Sequence, residues 1–150
     1  MLRRLAAGIL AAVALLASAG GGKVEYIGGT LMQFHGGQEG RLSTSDRRLL
    51  VFLFKDQRFG VAYERINLIE YGQKVNRRLV EAILISPLFL IAKSRRHFLT
   101  IGYRDENDSQ QALVFRVEKN DVRILLVGLE ARTGLRVQYQ DEEARKAGKG

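Results

Sequence analysis

Two histidines, His35 and His97, are the first residues to weigh for chemistry. His35 stands in a glycine turn, His35-Gly36-Gly37, and His97 opens a strand-like run. So far apart in sequence, they read as surface or packing residues rather than as shared metal ligands. His35-Gly36-Gly37 echoes an oxyanion loop, but no G-x-S-x-G elbow accompanies it. Ser43, Thr44 and Ser45 supply hydroxyls without a neighbouring base. Gly20-Gly21-Gly22-Lys23 is not a phosphate loop, because Val24 follows the lysine and no strand precedes it. Asp105, Asn107 and Ser109 alternate as in a calcium loop. Gln110 takes the place of the required glycine and Arg116 that of the bidentate glutamate, so a polar hairpin tip is the better reading. Asn107-Asp108-Ser109 matches a glycosylation sequon, which matters only in a eukaryotic secretory route. Glu64, Glu70 and Glu81 suit ion pairs with arginines, and no carboxylates pair for acid–base work. The reading assigns no catalytic residue, no cofactor and no metal ligand, and predicts a protein that is not an enzyme.

The residues that point to a partner are basic. Arg77 and Arg78 precede, and Lys93, Arg95 and Arg96 follow, an almost wholly apolar run from Leu79 to Ala92 broken by Glu81, Ser86 and Pro87. Pro87 cannot sit inside a regular helix without a kink, and Ser86 before it is biased toward extended backbone. The pattern predicts a helix from about Arg77 to Ile85, a break, and a short apolar piece. The run is too short to cross ~30 Å of hydrocarbon. An apolar centre with cationic flanks suits a segment lying in the interface of an anionic membrane. Arg77, Arg78, Lys93, Arg95 and Arg96 would then be electrostatic contacts, with Leu88, Phe89 and Leu90 as an apolar wedge. The same pattern also suits core: Leu79, Val80, Ile83 and Leu84 are spaced as the buried side of a helix, and Leu88, Leu90 and Ile91 could close the mouth of a barrel. Docking on a protein or a second copy is the third reading.

Residues 1–19 have the order of a secretory signal peptide. Arg3 and Arg4 give a basic start, Leu5 to Leu16 an apolar core, and Ala17-Ser18-Ala19 a small-residue cleavage site before Gly20. The alternative is an uncleaved anchor, although Leu5 to Ala19 falls short of the ~20 apolar residues of a spanning helix. Export to a periplasm or to the outside is the expectation. The formal charge of +8 drops to +6 once Arg3 and Arg4 leave, so the remaining chain is still basic and suits an anionic partner. An exported protein rarely meets nucleic acid, so an anionic membrane surface or an envelope protein ranks first. Without cysteine there is no disulfide, no thiolate metal site and no lipoprotein cysteine, and the fold stands on its apolar core.

The elements that position these residues are mostly strands. Residues 20–23 read as a flexible glycine-rich lead-in, and residues 24–140 as one domain. Val24 and Tyr26 begin an alternation of period two, Gly28-Gly29 marks a bend or bulge, and residues 40–44 form a short polar strand. Leu49 to Phe54 is apolar on both sides and belongs in the middle of a sheet. Phe59, Val61 and Tyr63 alternate, and the phase changes across Glu64-Arg65 at a bulge or corner. His97 to Tyr103 and Gln111 to Val117 form a late hairpin around residues 105–109. The alternation implies an antiparallel sheet with one wet face. Asp121 reads as an N-cap, Val122, Leu125, Leu126 and Leu129 as a helical stripe, and Gly134 as the C′ residue. Gly128 inside that helix would let it approach the sheet closely. Leu135, Val137 and Tyr139 suggest a last short strand, and residues 141–150 a disordered tail or a frayed helical turn.

Strands followed by a helix predict an α+β fold: a curved antiparallel sheet or partly open β-roll or barrel, capped by a C-terminal helix. RFGVAYERINLIEYGQ, RRHFLTIGYRDENDSQQALVFRV and KNDVRILLVGLEARTG are similar to the strand-corner-strand, late hairpin and closing helix of one superfamily. In these stretches the chain resembles the pleckstrin-homology-like superfamily, with its bacterial and GRAM-type members. Six strands precede the helix by pattern where that fold has seven, and a strand-like stretch follows it. The resemblance implies a binding module whose ligand class is lipid headgroup, peptide or protein. The expected function is an exported non-enzymatic binding module that engages anionic lipid or an envelope protein through residues 75–97. The alternatives are a structural, self-associating envelope subunit and a hydrolase whose site the sequence does not mark.

Overall fold

The computed structural model describes residues 20–31, 33–75 and 96–149. The expected signal peptide, the helix expected from Arg77 to Ile85, and Arg77, Arg78, Leu88, Phe89, Leu90, Lys93 and Arg95 lie outside the described residues.

Branched and aromatic residues in alternation set the strands. They are β1 (Gly21–Gly29), β2 (Gln38–Ser43), β3 (Leu49–Phe54), β4 (Gln57–Ala62), β5 (Ile66–Gly72), β6 (Phe98–Arg104), β7 (Gln110–Val117) and β8 (Gln138–Tyr139). Helix α1 (Val122–Thr133) precedes β8 and helix α2 (Glu142–Lys149) follows it. Among the described residues seven strands, not six, precede the first helix. The stretch from Gln57 to Gly72 is two strands parted by a 3-10 turn at Tyr63–Arg65, where the change of phase predicts a corner.

The fold is α+β. The eight strands form one open sheet in the order β4-β3-β2-β1-β7-β6-β5-β8. Its β8 runs parallel to β5, with Glu70 opposite Gln138 and Tyr71 opposite Tyr139, so the sheet is mixed rather than wholly antiparallel. A parallel neighbour needs a long crossover, and β6, β7 and α1 supply it. The register of β1 against β7 slips between Tyr26 and Gly28, the bulge that the glycine pair predicts. Strand β3 is paired on both sides, by β2 and β4, although β4 is the edge of the sheet.

The glycine-rich lead-in belongs to β1 and is not a flexible arm. Gly21, Gly22 and Lys23 pair with Ser43, Leu42 and Arg41. A Cβ on Gly22 would lie 2.6 Å from the Cβ of Asp121, so glycine lets the start of α1 come down on the strand. Tyr26, Phe34, Phe52, Phe54 and Phe115 make the aromatic centre of the core, with ring centroids 4.8–5.9 Å apart. Val122, Leu125, Leu126 and Leu129 of α1 join the same core. Burying Leu125 and Leu129 completely contributes roughly 1.5–3 kcal/mol each.

Asp121 does not cap α1 with its side chain; its Oδ2 instead accepts the Lys23 backbone N–H at 2.8 Å. That bond ties the helix start to β1. The other end follows expectation, with Gly134 at φ +72° and its N–H bonded to the Glu130 carbonyl. The tail forms α2 because Ala144 and Gly148 are small at i, i+4: Ala144 is fully buried, and a Cβ on Gly148 would lie 2.7 Å from Tyr139. The outer face is not wet throughout, since Ile27, Phe98, Ala112 and Val114 are buried there outside the main core. Among the described residues no helix is long and apolar enough to cross a membrane.

Candidate functional site

The sheet's outward residues build an open groove of about 910 Å³ across the first half of β1, the first part of β2 and the end of β7. Strand alternation puts Lys23 and Glu25 of β1, Glu39 and Arg41 of β2, and Arg116 of β7 on that side. Arg96 and His97 enter it just ahead of β6, and Glu118 and Lys119 just after β7. Lys23 stands directly opposite Arg41, and Glu25 directly opposite Glu39. Like charges facing across two strands destabilise the pair, so neither match arises from sheet stability. The result is a cationic row beside an acidic row. Arg116 of β7, opposite Glu25 on the other side of β1, ion-pairs with Glu25 and so neutralises one of the two carboxylates of the acidic row. Lys23, Arg41, Arg96 and Lys119 leave the groove net basic.

His97 forms the floor at one end. Its Nδ1 is hydrogen-bonded to the Tyr71 hydroxyl, the two rings are stacked, and the Val117 N–H donates to its carbonyl at 2.7 Å. Burial, with the Lys119 charge adding to it, pushes the imidazole below its ordinary pKa, so His97 is neutral at pH 7. Burial pushes the Tyr71 phenol up to about 12, so Tyr71 keeps its proton. His97 shares the groove with Glu118, yet the ring's described hydrogen bond goes to tyrosine, as in a packing pair rather than a base held by a carboxylate.

The other residues singled out by sequence lie elsewhere. His35 sits in the β1–β2 loop, where its N–H donates to Gln38 Oε1. Thr44 Oγ1 donates to the Gly20 carbonyl, and Ser43 Oγ accepts the Ser45 N–H. Asp105 closes the β6–β7 tip by accepting the Asn107 and Ser109 N–H groups, both at 2.9 Å. These bonds hold its carboxyl below the ordinary range, the Ser109 N–H most of all. Among the described residues no group of three His, Cys, Asp or Glu side chains could hold a metal ion. Arg96 is the member of the expected basic set that falls among the described residues, and it lies in the groove. Sequence reading missed Lys23, Arg41 and Arg116, whose signal was their shared outward phase on neighbouring strands, and Lys119, which follows β7 in a 3-10 turn.

What this lining can do is hold an anion by charge and hydrogen bonding, with arginines able to grip phosphate or carboxylate oxygens in pairs. No protein-family model matches this chain, and no curated protein matches it.

Proposed function

We propose that this protein is an exported, non-enzymatic binding module of pleckstrin-homology-like build that engages anionic lipid at a membrane surface. The build is supported by seven strands in the spatial order β4-β3-β2-β1-β7-β6-β5, with a helix after the seventh, β7, in the chain. The observation that carries the ligand class is the cationic row: Lys23 and Arg41 are held side by side against the sheet's own electrostatic interest, and Arg96 and Lys119 share their groove. Arg77, Arg78, Lys93 and Arg95 would add charge to it, and Leu88, Phe89 and Leu90 would supply the wedge. Each cation near an anionic surface contributes ~1 kcal/mol.

Vesicle co-sedimentation tests the reading. The full chain should pellet with vesicles of phosphatidylcholine and phosphatidylglycerol, and stay in the supernatant with phosphatidylcholine alone. Arg95→Glu with Arg96→Glu should weaken the binding by about tenfold or more, and added salt should do the same. Equal recovery from both kinds of vesicle would sink the proposal. The second reading, a self-associating envelope subunit, is favoured by β4, whose outer edge ends the sheet. A mass that rises with concentration in light scattering, without vesicle binding, would replace the first reading with the second.

A further inference from the structure

We infer that the groove selects a phosphate diester whose headgroup also carries a primary ammonium, with Glu39 reading the ammonium; this rests on the reading above of the groove as an anion site at a membrane. The groove holds three carboxylates, Glu25, Glu39 and Glu118. Each repels an anion, so each needs a reason to stand in such a site. Two are answered by neighbouring cations. Glu25 pairs with Arg116. Glu118 lies beside Lys23, whose carbonyl accepts its N–H at 3.2 Å. Carried two residues past the Phe98–Arg116 pair, the β6–β7 register brings Arg96 to the other side of Glu118. Glu39 is the third. It is exposed, and among the described residues its side chain has neither a hydrogen bond nor an ion pair.

The strands place Glu39 within reach of whatever the cations hold. Residues two apart on a strand share a face and are about 7 Å apart. Glu39 is therefore one such step from Arg41 on β2, and Glu25 one step from Lys23 on β1. Directly opposite residues have Cβ atoms about 5 Å apart. Together the four positions make a rectangle with two cations at one end and two carboxylates at the other. Arg41 does not turn toward Glu39, because its Nη2 donates to the Gly21 carbonyl at 3.4 Å. Gly21 lies beyond Lys23 from Glu25, so this bond draws the guanidinium away and leaves the Glu39 carboxylate unclaimed.

A ligand with charges of both signs satisfies the whole rectangle. Its phosphate receives charge-assisted hydrogen bonds from Lys23 and Arg41. An ammonium joined to that phosphate through two carbons extends along the strands to Glu39 and donates to it. The Glu25–Glu39 match is unfavourable in the free protein, and an ammonium between the two relieves it. A quaternary ammonium has no N–H to give. The described lining of the groove includes no Phe, Tyr or Trp on whose face such a group could rest. A second anionic group at the carboxylate end is repelled, so the selection has an attractive and a repulsive half. The basic groove brings the protein to an anionic surface, and Glu39 chooses among the headgroups there.

Three matched probes test this: glycerophosphoethanolamine, glycerophosphocholine and glycerophosphoglycerol, titrated into the full chain and followed by amide chemical shifts. All three carry the phosphate diester, and only the first carries N–H donors on a cation. The ethanolamine diester should bind about fivefold or more tighter than the other two. Glu39→Gln should erase that preference and leave the glycerol diester bound at least as well, which also shows the groove intact. Lys23→Gln with Arg41→Gln should weaken all three. Vesicles of fixed phosphatidylglycerol content should retain more protein when phosphatidylethanolamine replaces phosphatidylcholine, and Glu39→Gln should remove the difference. Binding to none of the diesters and to no anionic vesicle would overturn both this inference and the proposal above. Binding to anionic vesicles with equal affinity for the three diesters would overturn this inference alone, as would an ethanolamine preference that survives Glu39→Gln. A preference for the soluble ethanolamine diester without retention on any vesicle would support the site's chemistry, make its ligand a free phosphate ester and overturn the membrane reading.

Discussion

Tyr26 carries a hydroxyl that the fold does not use. Its side chain is 1 % exposed, burial pushes its pKa up to about 12, and its buried oxygen has no hydrogen-bond partner among the described residues. Tyr71 is equally buried but gives its hydroxyl to His97. The two positions therefore separate the cost of burying a polar atom from the gain of satisfying it. Tyr26→Phe is expected to leave stability unchanged or raise it by about 1 kcal/mol, whereas Tyr71→Phe should lower it by about 1 kcal/mol. Urea denaturation midpoints of the two variants check this, and a marked loss in Tyr26→Phe would show that its hydroxyl is bonded after all. Residue-level chemistry was legible from the sequence only in part. Arg96 stood out because it flanks an apolar run, whereas Lys23 and Arg41 did not, because they meet only across a strand pair.

Among the elements, α1 shows a local rule giving way to a tertiary contact. Alanine is better than glycine inside a helix by about 1 kcal/mol. At position 128 a Cβ would run into Thr44 Oγ1, which is already engaged with the Gly20 carbonyl. Gly128→Ala should therefore cost about 1–3 kcal/mol in spite of its propensity. Thermal melts compare it with Val127→Ala, which is exposed on the same helix and should be close to neutral; a stabilised Gly128→Ala would refute the close contact. The apolar stripe and the glycine stop of α1 were legible from spacing. The side chain of Asp121 was not, because a residue suited to cap a helix can equally bond a strand 98 residues away.

At the scale of the whole molecule, alternation made the late hairpin readable: Leu99, Ile101, Leu113 and Phe115 are all buried in one core. It failed at Gly21 and Gly22, which have no side chain to alternate, and at β8, whose parallel pairing with β5 depends on where the chain arrives after α1. The length of α2 was hidden because its buried residues, Ala144 and Gly148, fit by smallness and not by hydropathy. The corner at Tyr63–Arg65 was seen as a change of phase, yet its consequence, a seventh strand before the helix, was not.

The strand register also fixes what must be covalent. Residues 75 and 96 bound a stretch whose two ends are gripped independently of it. Gln140 donates from its side chain to the Lys74 carbonyl at 2.6 Å, Tyr71 is bonded to His97, and Gly72 pairs with Phe98. These contacts hold the two ends in register through the sheet and the segment after α1. A gene split there would give one piece with β1 to β5 and another with β6 to α2, each leaving an unpaired strand that only the other can complete. Co-expressed, the halves should co-purify as one folded unit on a tag attached to either; recovery of the tagged half alone would show that continuity between residues 75 and 96 is what holds them together.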